Sequence, residues 1–449
     1  MSRAFLSEIL RTVRSRGRLL IRSDVALKST KVERTLGQLC EALLSRRGEA
    51  SGMAIARAIL DCYARLKKAE RIAFFELLAE HFGPDREKMD RTIKQWREAG
   101  DGVADLHFAS EPRRQELLRR LNHAPGAIAD LVQMREHLLE KISSHPDLQV
   151  VDRDFAHLFA SWFNRGFLVL RPINWTTPIN ILEKIIEHEA VHAIENWDDL
   201  RNRLKPADRR CFAFFHPQLV DEPLIFVEIA LTAGTPSAIA PLLHPVGAAI
   251  EPQHATTAVF YSISNTQRGL VGVSFGNFLI KQVVTDLQSE FPHLDNFVTL
   301  SPLAGFASWL KNKRAVGPSA LLDATQIEVL KGVDVPLWHM DPKNRIPLHD
   351  LLLSLAATYL TVARNPAGRP IDPVARFHLG NGARLERLNF LADTSARGLE
   401  QSHGIMVNYR YVLEDIEKNH EAFAENGTIV TSPAIQKQLR VPSHNLVPA

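Results

Sequence analysis

The 449-residue sequence predicts an α+β protein, an all-helical bundle followed by a mixed α/β domain. Two observations predict it. Apolar residues recur with a helical period through the first 145 or so positions. After Ser143-Ser144-His145-Pro146 the texture changes, and short apolar, β-branched runs alternate with helical stretches. The length exceeds one ordinary core, so two domains are expected, 1–146 and 147–449.

In the front part, Leu36, Leu39, Cys40, Leu43 and Leu44 share one helical face, as do Ile55, Ile59, Cys62, Tyr63 and Leu66. Met89, Ile93 and Trp96 continue the pattern, while Gly48, Gly83-Pro84, Glu111-Pro112 and Pro125-Gly126 interrupt it. Phe74, Phe75, Phe82 and Trp96 read as core or interface residues.

In the second part, Phe167–Leu170 reads as a strand, and Thr177-Pro178 as the N-cap and first residue of a helix. Strands are expected over Cys211–His216, Leu224–Leu231 and Ala258–Ser264. A loop with three glycines, Gly269, Gly272 and Gly276, then leads to a helix from about Phe278 to Phe291. Phe297–Leu300 reads as the next strand, ending on Ser301, and helices dominate again over 321–364.

Composition narrows the function. Charged residues make up 23% and the formal charge is +3, with no block of like charge to serve as a nucleic-acid arm. No apolar run approaches the length that spans a bilayer. Cys40, Cys62 and Cys211 are too few and too scattered for a disulfide framework or a cysteine-rich zinc site, and they fit a reducing cytosol. Arg3, Arg11, Arg14, Arg16 and Arg18 are similar to an organelle presequence, but a basic, apolar first helix is equally ordinary, and the expectation is cytoplasmic.

Four motifs bear on chemistry. Arg376-Phe377-His378-Leu379-Gly380-Asn381-Gly382-Ala383 sets a histidine and an asparagine before a glycine-bounded turn, a common way to present an acid/base group. Ser301 precedes Pro302, which forces it out of helical geometry; it is either a hydroxyl at the mouth of a sheet or a plain strand end. The strand–loop–helix around Val271, Gly272, Val273, Ser274, Phe275, Gly276 and Asn277 is either an anion site made of amides and a helix dipole or a tight turn. Its spacing matches neither a Walker loop nor a dinucleotide fingerprint. His188-Glu189-x-x-His192 matches the zinc-peptidase pattern inside a helical stretch, yet no third ligand follows convincingly, so no metal is expected. Tyr409 and Tyr411 read as core residues with a polar tip, one of which could reach a site.

Taken in order, several blocks resemble the malonyl-CoA decarboxylase family. They are Phe260-Tyr261-Ser262-Ile263-Ser264, Phe278-Leu279-Ile280-Lys281, Phe291-Pro292-His293-Leu294, Leu300-Ser301-Pro302, Asp372-Pro373-Val374-Ala375, Phe377-His378-Leu379, Asn381-Gly382-Ala383 and Asn408-Tyr409-Arg410-Tyr411. The resemblance implies a helical oligomerisation domain and a GNAT-like catalytic domain whose splayed sheet receives the acyl-pantetheine arm. It implies malonyl-CoA as substrate, acetyl-CoA and CO2 as products, no cofactor, and a homo-oligomer, dimer or tetramer. It places the family's catalytic serine on Ser301, its histidine on His378, and the pyrophosphate on Val271 to Asn277. Ser274 stands where some relatives carry a glutamate. The ends do not match the targeting segments of animal members, which implies a bacterial, cytosolic form.

On this reading CO2 loss leaves a thioester enolate. Asn381, backbone amides or the Ser301 hydroxyl would stabilise it, and a protonated His378 would deliver a proton to the α-carbon. Lys281 is a candidate for the nucleotide 3′-phosphate. The alternatives are a GNAT-type acyltransferase, a CoA-binding regulator and a zinc peptidase.

Overall fold

A computed structural model describes residues 29–45, 48–100, 103–245, 247–273, 279–439 and 446–448. They fall into two compact units, the first comprising the described residues up to Leu168, His216–Val220 and those from Gln267 to Val273, the second the rest.

The first unit is helical. Its helices run Ser29–Leu44, Glu49–Ala64, Lys68–His81, Arg86–Ala99, Val103–Ser110, Arg113–Leu121, Ala127–Leu139 and Gln149–Trp162. The expected apolar faces form its core. Leu36, Cys40, Leu43, Ile59, Tyr63, Phe74, Phe75 and Phe82 are buried, with the Tyr63 ring 5.5 Å from Phe74 and 6.0 Å from Phe75. Trp96 is 41% exposed, at the end of the face that carries the half-buried Met89 and Ile93 and the buried Thr92. Arg135 anchors a later stretch of chain to this bundle, donating to Asp152 at 2.8 Å and to the Gly269 carbonyl at 2.8 Å.

The second unit is built on one sheet. Its strands are β1 (Val169–Ile173), β2 (Arg209–Phe215), β3 (Pro223–Thr232), β4 (Thr257–Asn265), β5 (Asn296–Thr299), β6 (Ser301–Pro302), β7 (Arg384–Asn389), β8 (Met406–Tyr411), β9 (Ile429–Thr431) and β10 (Leu446–Pro448). They are ordered β1-β2-β3-β4-β5-β8-β7-β9-β10, with β6 on β8. β1 to β4 run antiparallel, and β4–β5 is a parallel join made through the crossover helix Leu279–Glu290. That helix buries Leu279, Ile280, Val283, Val284 and Leu287 along one stripe.

The β4–β5 join positions everything that follows. The two strands pair only from Thr257–Asn296 to Phe260–Thr299, and the last rung is the Leu300 amide donating to the Phe260 carbonyl at 3.0 Å. From there β6 pairs with β8, Ser301 opposite Val407, while β4 continues to Asn265 against β3. Among the described residues the sheet therefore splits after Leu300, the GNAT-like arrangement expected from the sequence.

Several local expectations shift. β1 starts two residues later than expected, because Arg165–Phe167 forms a 3-10 turn capped by Asn164. Pro178 precedes the helix Ile179–His188 instead of occupying its first position, and the Thr177 hydroxyl accepts from the Asn174 amide. The helix ends at His188, and Glu189 has extended backbone with ψ 109. His188-Glu189-x-x-His192 is therefore not helical throughout, and its histidines do not share a helix face.

Candidate active site

Ser301 sits where the sheet splits, and the residues that surround it come from β5, β8 and one helix. Thr299 and Ser301, two residues apart, place their side chains on one side of the chain, as alternation along an extended chain requires. The Ser301 hydroxyl donates to Thr299 Oγ1 at 2.9 Å, and the Tyr409 amide donates to the same oxygen at 3.1 Å. The Thr299 carbonyl accepts from Asn408 Nδ2 at 2.7 Å. Asn408 is itself held through Oδ1 by Asn389 at 2.8 Å and by Arg387 at 3.1 Å.

His378 arrives on the helix Pro373–Gly380, in its last turn. The sequence starts that helix with Asp372 as N-cap, its carboxylate accepting from the Ala375 amide at 2.7 Å, and with Pro373 at the first position. Gly382 ends the approach with φ +79, and a β-carbon there would collide with the Ile416 carbonyl, so only glycine fits. The His378 carbonyl accepts from the amides of Asn381 and Ala383, both at 3.1 Å.

The imidazole lies 3.2 Å from Ser301 Oγ through Nε2 and 2.8 Å from the Tyr411 hydroxyl through Nδ1. The Tyr409 ring stacks on it at 4.6 Å. With the Ser301 proton directed at Thr299, the network is satisfied when Nε2 carries the imidazole proton and donates to Ser301, and Tyr411 donates to Nδ1. His378 is 3% exposed, and burial pushes its pKa down to about 3. Burial therefore favours the neutral imidazole over the protonated form expected from the sequence. Burial likewise holds the Tyr411 and Tyr409 phenols well above their usual range, so both keep their protons.

The structure brings Ser301 and His378 together, 77 residues apart in the chain. Asn381 follows His378 by three residues, but its Nδ2 turns back onto the Phe377 carbonyl at 2.7 Å, while its buried Oδ1 has no hydrogen-bond partner among the described residues. Val271, Gly272 and Val273 belong to the first unit, and residues 274–278 of the loop lie outside the described residues. Of the loop glycines, Gly269 is required by its approach to the Val132 backbone, and Gly272 by its φ of +77. Lys281, the candidate for a phosphate contact, is ion-paired with Glu417.

Sequence reasoning missed Thr299 and gave Tyr411 no definite role. The Thr299-x-Ser301 alternation was a usable signal; nothing local marks Tyr411 as the partner of a histidine 33 residues away. Among the described residues no group of three or more metal-ligating side chains converges, and no helix is long and apolar enough to cross a membrane.

Comparisons with known proteins agree with this architecture. The family model described as the malonyl-CoA decarboxylase C-terminal domain matches residues 166–447, and that of the N-terminal domain matches 82–163. The mitochondrial malonyl-CoA decarboxylase of Anser anser anser is 35% identical over 390 residues, covering 79% of this chain and 77% of that protein. The one from Rattus norvegicus is 34% identical over 401 residues, 82% of this chain and 81% of its own length. Among solved structures, the malonyl-CoA decarboxylase of Rhodopseudomonas palustris is 57% identical with a TM-score of 0.87, covering 90% of this chain and 99% of that one. That of Agrobacterium vitis is 55% identical with a TM-score of 0.85 and the same coverage.

Proposed function

Since the chain belongs to the malonyl-CoA decarboxylase family, we propose that it converts malonyl-CoA to acetyl-CoA and CO2, with Ser301 and His378 at the reacting end. The observation that carries the residue assignment is the line Tyr411–His378–Ser301, set where β5 parts from β4.

The bond between the α-carbon and the carboxylate breaks, CO2 departs, and the electron pair enters the thioester as an enolate. One proton must then reach the α-carbon. Ser301 is the donor nearest the opening of the sheet. As it gives its hydroxyl proton to the carbon it takes the Nε2 proton of His378, while Tyr411 keeps its own proton and holds Nδ1. Water then reprotonates Nε2, so one solvent proton is consumed per turnover. A neutral imidazole is a competent donor in a buried site, where a fixed N–H meets charge only as it develops. The thioester is the electron sink, so this sequence of steps requires no further group.

The resting network also argues that Ser301 is a proton donor and not a nucleophile. A serine is activated for attack by a base that accepts its proton. Here the hydrogen bonds are satisfied with the Ser301 proton on Thr299 and a proton on Nε2, an arrangement in which no base accepts from the serine. The pyrophosphate is proposed to rest on the 271–277 loop, and the helical unit to mediate homo-oligomer assembly, in a cytoplasmic protein with its three cysteines reduced.

Incubation with malonyl-CoA alone tests the reaction. Acetyl-CoA and CO2 are expected in equal amounts without an amine acceptor; turnover that requires an acceptor would make the enzyme an acyltransferase.

A further inference from the structure

We propose that Tyr359 is a positioning residue for the reaction: its hydroxyl locks the helix carrying His378 to the segment carrying Ser301. The inference rests on the proposed roles of those two residues.

Tyr359 lies on the helix Pro342–Thr361 and is buried. On one side its hydroxyl donates to Asp372 Oδ2 at 3.2 Å. Asp372 is the N-cap of the His378 helix, and its other oxygen holds the Ala375 amide. On the other side the same hydroxyl presses on Gly305, four residues beyond Ser301, where a β-carbon would stand 2.6 Å from the phenol oxygen. The ring is wedged between Phe306 at 5.6 Å and Trp309 at 5.3 Å, on the helix Phe306–Ala315 that Gly305 opens.

A single phenol thus touches the chain just after the serine and the residue that starts the histidine's helix. The two catalytic groups meet through one 3.2 Å contact, and their separation depends on how these two segments are set against each other. A displacement of about 1 Å at such a contact is enough to lower turnover by about 100-fold. Gly305 has an ordinary φ of −104, so backbone conformation does not demand glycine there; the space taken by the Tyr359 hydroxyl does. Asp372 is held above the usual carboxylate range by burial, and the Tyr359 hydroxyl offsets part of that.

The test is steady-state turnover of malonyl-CoA by Tyr359→Phe, Gly305→Ala, their double variant, Asp372→Asn and His378→Asn, with thermal unfolding measured in parallel. Tyr359→Phe is expected to lower kcat about tenfold and leave KM within about twofold. Gly305→Ala should cause a similar loss. In the double variant that loss should not add, because without the oxygen the next ring atom is 3.8 Å from the new β-carbon. Asp372→Asn keeps an acceptor for Ala375 and a partner for the phenol, so it should restore most of what an alanine would lose.

A wild-type kcat in Tyr359→Phe, or losses that add fully in the double variant, overturns the proposal. So does a decline that follows only the folded fraction. Should Tyr359→Phe fail to fold, a wild-type kcat in Gly305→Ala overturns it equally. A dead His378→Asn beside an unimpaired Tyr359→Phe refutes the positioning role alone; an active His378→Asn refutes the catalytic reading beneath it.

Discussion

Two segments of the second unit bury a histidine, the turn after His188 and the helix ending at Gly380, and they surround it differently. In the first, the Glu189 carboxylate accepts from the Ser262 hydroxyl at 2.7 Å, the Ser264 hydroxyl at 3.1 Å, and the amides of Val191 and His192 at 2.9 and 2.8 Å. Arg203 donates to Glu228 at 2.7 Å and to the His192 carbonyl at 2.8 Å. The Glu189 carboxylate is saturated and Arg203 is paired with Glu228, although Glu228 Oε1 and His192 Nε2 have no partner among the described residues. Around His378 the hydrogen-bonding neighbours are neutral hydroxyls, and the Tyr409 hydroxyl and Asn381 Oδ1 are buried without partners among the described residues. A carboxylate saturated with donors holds a fold together, whereas an imidazole set among neutral hydroxyls can respond to charge that arises during a reaction.

The largest test of this contrast is His378→Asn. Turnover is expected to fall by about three orders of magnitude, with little change in CoA binding measured by calorimetry. A near-normal rate would remove the catalytic segment from the comparison. Ser301→Ala should follow with a loss of about 100-fold in kcat, the usual effect of removing one fixed donor. Tyr411→Phe should lose less, about tenfold, since the phenol acts one step further from the carbon; a greater loss than for Ser301→Ala would contradict that order.

Glu189→Gln probes the other segment. It should destabilise the protein by about 2–3 kcal/mol in urea unfolding while the folded fraction keeps its kcat. Selective loss of turnover there would show that the two segments are not separate in role.

The smallest effect concerns pH. His378 is held to about 3 and His192 to about 4 by burial, both below the value of about 6.5 expected for an unfolded chain. Between those values the unfolded state binds more protons, so stability should be full above pH 6.5 and decline as pH falls toward 4. His378→Asn should flatten part of that slope, and kcat/KM of the wild type should show no ionisation of this histidine between pH 5 and 8. A step near pH 6.5 in that profile would contradict the neutral imidazole.

The contrast also explains what could be read from the chain. Strands β2 to β5 and the crossover helix follow apolar runs and turn residues, which act locally, and they lie close to expectation. His378 was legible because Asp372-Pro373 and Gly382 are local signals that bracket a short helix. His188-Glu189-x-x-His192 misled because its spacing presumes a helix, and buried hydroxyls on β4 pull Glu189 out of one. Tyr411, Tyr359 and Gly305 contribute through contacts between distant segments, which no periodicity or spacing encodes.

Gly382 leaves no room for a side chain against Ile416, and its carbonyl accepts from Asn419 at 3.2 Å, while Tyr411 grips the imidazole. The clasp on the histidine is therefore supplied by residues 411–419, more than thirty positions after it in the chain. During synthesis the sheet from β1 to β5 has emerged well before this clasp exists, and a nascent chain stopped ahead of residue 411 holds no oriented imidazole. The catalytic geometry therefore forms only after the strand carrying Tyr411 has been made and has paired with β7.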